Sequence, residues 1–199
     1  MAHVGDEARP RSRMTAPLDR TRRPFDIAEA IAILSRTPAV LDALLRSLPP
    51  TWVHAHEGGE TWSPFDVVGH LVHGEQTDWI PRAKIILADG DGRTFATFDR
   101  LAQFQVSAGR TLASLLDDFA RLREANVREL SSLNLTDADL DRPGRHPAFG
   151  AVTLRQLLAT WVAHDFDHIM QISRVLARQY ADEVGPWREY LRVISGTPG

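Results

Sequence analysis

The chain has 199 residues, 43% hydrophobic and 25% charged, a balance that suits one compact domain with a full core. A net charge of −3 offers no basic footprint for nucleic acid, and the absence of cysteine excludes disulfides, thiolate metal sites, iron–sulfur clusters and a cysteine nucleophile. No run approaches the ~18 consecutive apolar residues of a membrane span and the N-terminus lacks the apolar core of a secretory signal, so a cytoplasmic protein with no membrane contact is expected.

Residues 1–24 carry six arginines among prolines and small polar residues without hydrophobic periodicity, and are expected to form a disordered leader with no assigned function. A single domain is expected over 25–195. Phe25, Ile27, Ile31 and Leu34, then Val40, Leu41, Leu44, Leu45 and Leu48, recur at three- and four-residue intervals, with Thr37-Pro38 marking a break and restart and Pro49-Pro50 the end. After Gly58-Gly59, Ser63 has the chemistry of an N-cap and Pro64 that of a first helical residue, predicting a second helix from there through His70 to about Leu87, closed by Asp89-Gly-Asp-Gly92.

A short helix is predicted over Asp99 to Val106, and a third long one over Thr111 to Leu133, where leucines, Phe119 and Val127 keep a helical period. The turn-rich stretch from Thr136 to Gly150 leads to Thr153, the expected N-cap of a fourth long helix, and Pro186 to Leu191 add a terminal turn or short helix. No alternating strand pattern of useful length appears. The simplest architecture is an all-α four-helix bundle with an additional short helical segment, in which metal sites are built from side chains on facing helices.

The fourth helix holds the densest chemistry: Trp161-Val-Ala-His164-Asp-Phe-Asp-His168-Ile-Met-Gln171 places two histidines four residues apart, on one helix face. Two neutral imidazoles one turn apart converge on a single cation. His164 lies eleven residues past Thr153, about 16 Å along the axis at ~1.5 Å per residue, so it meets the middle of a neighbouring helix. There Asp66-Val-Val-Gly-His70-Leu-Val-His73-Gly-Glu75 offers His70, His73 and Glu75 as a third ligand. A structural histidine pair is the plainer alternative. Asp165 and Asp167 are read as a solvated charge run off the ligand stripe, leaving no evident general base beside the pair. Glu75 falls about 140° round the helix from His70 at ~100° per residue and is read as a solvated surface residue.

Three segments, Trp62-Ser-Pro-Phe-Asp-Val-Val-Gly-His70-Leu, Gly150-Ala-Val-Thr153-Leu-Arg-Gln-Leu-Leu158 and His164-Asp-Phe-Asp-His168-Ile-Met-Gln171-Ile, together resemble the DinB-like superfamily over nearly all of Phe25 to Leu191. The resemblance implies a four-helix bundle with a three-histidine divalent metal site, often in a homodimer, and relatives that include metal-dependent hydrolases and transferases using low-molecular-weight thiols. Carried over by motif position, the metal ligands are His70, His164 and His168. Three neutral imidazoles leave the ion's charge undiminished, which acidifies a bound water or thiol and suits either hydrolysis or transfer of an external thiol to a small-molecule electrophile. An all-nitrogen set suits zinc, nickel, copper and ferrous iron about equally, so the ligands do not select the metal; zinc or nickel is the expectation, with iron or copper as alternatives.

Around these ligands, His73 is expected to support rather than bind. Gln171 is a candidate for orienting water or substrate, with a helix–helix hydrogen bond as the alternative. Trp161, Trp79 and Phe166 are candidates for the pocket wall, with plain core packing as the commoner role of aromatics at helical spacing. His146 is expected to lie too far from His164 to share its ion unless its loop folds back, and His3, His54 and His56 are expected on the surface. The non-enzymatic alternatives are a homodimeric metal- or small-molecule-binding module, and a bundle whose histidines are only polar core.

Overall fold

The computed structural model describes residues 23–195. The expected leader, apart from Arg23 and Pro24, and His3 lie outside the described residues.

The first bundle column is two short helices, α1 (Ile27–Leu34) and α2 (Thr37–Leu45), broken where Thr37-Pro38 predicts. A single turn, α3 (Pro50–Val53), leads to α4 (Pro64–Thr77). Ser63 caps α4 by accepting from the Asp66 N–H, and the Asp66 side chain accepts from the Ser63 N–H in return, satisfying two otherwise orphaned donors. The second column does not run unbroken to Leu87. It breaks at Asp78 and resumes as α5 (Trp79–Asp89). Pro81 is the physical reason: it has no N–H for the Thr77 carbonyl and its ring crowds that carbonyl.

After a 3₁₀ turn at Gly90–Gly92 comes α6 (Ala102–Ser107), introduced by Asp99, whose side chain accepts from the Leu101 and Ala102 N–H groups. The third column is α7 (Leu112–Ser132), capped by Thr111. A short turn, α8 (Asp137–Leu140), precedes a feature the periodicity does not disclose: the turn-rich stretch is an antiparallel hairpin, β1 (Pro143–His146) with β2 (Gly150–Thr153), pairing Pro143 with Thr153 and His146 with Gly150. Four-residue strands are too short to show alternation. The hairpin docks through Gly144, where a Cβ would fall 2.6 Å from Ile86 Cγ1. Thr153 then caps the fourth column, α9 (Leu154–Arg178), in a capping box with Gln156, and the chain closes through a 3₁₀ segment at Gly185–Tyr190 and α10 (Arg192–Ser195).

The apolar interior falls into two clusters stacked along the bundle. One gathers Leu34, Trp79, Ile80, Ile86, Leu130, Leu154, Leu158 and Trp161; the other gathers Leu41, Leu45, Val68, Leu71, Val72, Phe119, Ile172 and Leu176. Between them each column places a buried polar residue: Thr37, Glu75, Arg123 and Asp165. All four are enclosed by helix residues of both clusters, so this polar layer crosses the core. His164 and His168 leave α9 at the same level. Among the described residues no helix is long and apolar enough to cross a membrane.

Candidate metal centre

His70 on α4 and His164 and His168 on α9 come together, with one ligand atom of each within 4.8 Å of the others. The Nε2 atoms of His70 and His164 are 3.1 Å apart, and those of His168 and His164 are 3.0 Å apart. An ion held at ~2.0–2.1 Å from each nitrogen would set them roughly 3.0–3.4 Å apart, so the donors fit a divalent cation with positions left open. Burial and mutual repulsion keep them ready. Burial, then the neighbouring His168, lowers His70 to about 3, and burial, then His168 and His70, lowers His164 to about 2. Burial also lowers His168, opposed by its hydrogen bond to Gln171 and by Asp167 and Asp165. All three rings are therefore neutral at neutral pH, the state a metal ligand requires.

The outer nitrogens are treated unequally. His168 Nδ1 lies 2.9 Å from Gln171 Oε1, an oxygen that can only accept, so Nδ1 carries the proton and Nε2 the free lone pair. Gln171 thus orients the His168 ring within its own helix, and among the described residues it makes no helix–helix bond. The buried Nδ1 atoms of His70 and His164 have no hydrogen-bond partner.

Aromatic rings surround the cluster. Trp62 lies 4.9 Å from His70 and is stacked 6.4 Å from His168; Phe98 is 5.4 Å from His70; Trp79 is 5.1 Å from His164. Trp161 is fully buried behind Trp79, stacked on it at 5.7 Å, while Phe166 is 55% exposed and lines neither cavity beside the site, contrary to its expected role. Glu57 anchors the loop that delivers Trp62, its carboxylate taking Arg174 at 2.8 Å and Arg178 at 2.9 Å.

A cavity of about 480 Å³ opens onto His70 and His164, walled by Trp79, Phe98, Pro147 and Phe149, with Asp78, Arg82 and Arg100 as its charged groups. A second of about 250 Å³ holds Trp62, Arg100, Asp167 and Gln171. Arg100 borders both, its guanidinium 5.5 Å over the Trp62 ring. The hairpin folds back so that His146 joins the larger cavity, but its Nδ1 accepts the Ala148 and Phe149 N–H groups and it stays outside the three-nitrogen cluster. His73 is buried 4.9 Å from Phe98, also outside that cluster. His54 and His56 are exposed, as expected.

Two acids need correction. Glu75 is 2% exposed, not solvated, and Asp165 is 1% exposed, not part of a surface charge run. Both bind Arg123, Glu75 at 2.9 Å and Asp165 at 2.5 Å, with Trp161 Nε1 donating to Glu75, Asn126 donating to Glu75 and Thr37 donating to Asp165. Burial alone would lower the Arg123 pKa, yet its two carboxylates raise it; burial raises Glu75 against the pull of Arg123. Their spacing carried the signal: Val68, Leu71, Glu75 and Trp79, like Leu158, Trp161, Asp165, His168 and Ile172, step by three or four along one stripe. Arg123 likewise follows Phe119 by four. Asp78 is a further acid at the site. It reaches the larger cavity as a partly buried carboxylate beside Arg82, raised by burial and held back by Arg82 and His73.

A helical bundle whose facing helices aim three neutral histidines at one point beside a cavity defines a class: bundle proteins equipped to hold a divalent metal. Within it, the family model of the DinB superfamily matches residues 33–172, and the chain belongs to that superfamily. Among solved structures it is similar to YfiT from Bacillus subtilis, described as "a probable metal-dependent hydrolase with an unusual four-helix bundle topology", at 22% identity and a TM-score of 0.68 over 77% of this chain and 87% of that one. It is also similar to TT2238, a four-helix bundle protein, at 22% identity and a TM-score of 0.45 over 72% of this chain and 95% of that one. No curated protein matches the chain.

Proposed function

We infer that this protein is a divalent-metal-dependent hydrolase of small molecules, with His70, His164 and His168 as the ligands. The observation that carries this is the convergence of three neutral histidines, two of which, His70 and His164, open onto a largely apolar cavity. A divalent ion held by His70, His164 and His168 would supply Lewis-acid chemistry and would acidify a bound water or thiol. The chain's own residues do the rest. Trp79, Phe98 and Phe149 exclude water from an apolar substrate body, Arg100 meets an anionic group, and Asp78, a carboxylate on the cavity wall raised by burial and held back by Arg82, accepts a proton. The description of YfiT as a probable metal-dependent hydrolase supports the same chemistry.

Thiol S-transfer is the second reading, favoured by the basic Arg100 at an open mouth and by a chain with no cysteine of its own, so that the thiol comes from a small cosubstrate. Zinc or nickel is the expected ion and a homodimer the expected assembly, the latter checked by sedimentation, where only a 22.2 kDa species at micromolar concentration would count against it.

The first test is elemental analysis of untagged protein beside His168→Ala after equal dialysis. Near-stoichiometric metal in the former and its loss in the latter support the site; no metal in either after loading with zinc, nickel or iron leaves a polar core in a non-catalytic bundle. Ester, amide and phosphate substrates are then screened with and without thiols, and turnover only with thiol would replace hydrolysis by S-transfer.

A further inference from the structure

The one ligand on α4 lacks the support that Gln171 gives His168, and the neighbouring helix carries a candidate for it. Helix α6 lies against α4 at Gly69, so closely that a Cβ on Gly69 would stand 2.2 Å from Ser107 Oγ and 4.0 Å from the Gln103 carbonyl oxygen. This puts Gln103 beside the residue that precedes His70. Gln103 is 1% exposed, and neither its amide oxygen nor its amide nitrogen has a hydrogen-bond partner. His70 Nδ1 is buried and lacks one as well. Such groups are rare in folded proteins because burial strips them of water and returns nothing. Two on facing helices, an imidazole N–H and an amide oxygen, are complementary.

We propose that Gln103 is a positioning residue of the metal site, its amide oxygen accepting the Nδ1–H of His70 and so holding the ring in the tautomer whose Nε2 lone pair faces the ion. The inference rests on the metal reading above. It gives the two helices matching supports: Gln171 behind His168 on α9, and Gln103 behind His70 from α6. It also gives a purpose to the short α6 segment, which is otherwise a connection between the second and third columns, and to Gly69, the residue that lets α6 come close enough. His164 alone keeps an unsupported Nδ1, and its ring is held instead by Trp79 and by the other two histidines. A ligand whose outer nitrogen is held binds metal more tightly, because neither the tautomer nor the ring rotation has to be selected on binding.

The test compares zinc affinity, by competition with a chromophoric chelator, in wild type, Gln103→Leu and Gln103→Glu. Leucine keeps much of the volume and removes the acceptor; glutamate restores an acceptor. Zinc binding about 10–100-fold weaker in Gln103→Leu, returning to within about threefold of wild type or better in Gln103→Glu, is the expected result. Equal zinc affinity in wild type and Gln103→Leu overturns the proposal. Imidazole proton–nitrogen spectra of zinc-loaded wild type give a readout that does not depend on any variant folding. A slowly exchanging His70 Nδ1 proton with a cross-peak to the Gln103 side chain supports the assignment, and its absence overturns it. If wild type itself binds no zinc and His168→Ala is no different, the metal reading has failed, a result separable from failure of Gln103 alone.

Discussion

Two polar clusters lie at the same level of this bundle, and they differ in how completely they are satisfied. Around Arg123, two carboxylates, a threonine hydroxyl, an asparagine amide, an indole N–H and the Leu34 carbonyl leave little unpaired. Around His164, three nitrogens crowd within 3.1 Å of their neighbours and two outer nitrogens stand unpartnered. The first cluster is satisfied by the protein's own groups; the second is not. A satisfied buried network supports architecture, whereas a buried cluster of donors left open to a cavity points to a ligand.

The largest effect should come from breaking the satisfied cluster. Arg123→Ala leaves Glu75 and Asp165 buried without their cation, and is expected to destabilise the fold by roughly 3–5 kcal/mol, read as a lowered midpoint in urea unfolding. A change under 1 kcal/mol would show that the network contributes little to architecture. The open cluster should behave in the opposite sense. Zinc at ~100 times its dissociation constant should stabilise wild type by about 2.7 kcal/mol in the same assay and should leave His164→Ala unmoved; equal stabilisation of both would place the zinc elsewhere.

Acid separates the clusters further. In metal-free protein His70 and His164 have folded pKa values lowered from 6.5, to about 3 and about 2, chiefly by burial. The folded state therefore binds fewer protons than the unfolded chain, so stability is intact above pH 6.5 and falls below it, by about 1.4 kcal/mol per pH unit for each group until the folded values are reached. His70→Phe should flatten that slope, and an unchanged slope would assign the acid sensitivity to other groups. The smallest effect belongs to the loop anchor. Glu57→Gln weakens the pairing to Arg174 and Arg178 and should cost about 1–2 kcal/mol, with a shift in Trp62 emission as the loop loosens. Emission identical to wild type would show that Trp62 is held by its own ring contacts.

Much of this was legible in the chain. Ser63 and Thr153 announced the two helices that carry the candidate ligands, because a cap and its reciprocal partner three residues on are local features. The i, i+4 spacing of His164 and His168 put two donors on one face, and the ordered motifs added His70 by resemblance. The break at Asp78 was also available in Pro81, and the buried acids in their place on the apolar stripe. Reading Glu75 and Asp165 as solvated failed because a carboxylate on a core stripe is stable only when a cation reaches it, and Arg123 lies 48 residues from one and 42 from the other.

Sequence by itself determined what depends on neighbours a few residues apart: the helices, their caps, the restart at Thr37-Pro38, and the histidine face of α9. Tertiary structure decided what depends on distant segments meeting: the 3.1 Å approach of His70 to His164, the return of the hairpin to wall the cavity, the placement of Trp62 over the site, and the pairing of Arg123. The reason is physical. Backbone hydrogen bonding and side-chain periodicity act over one helical turn, while desolvation, charge pairing and convergence of ligand atoms exist only once the columns pack.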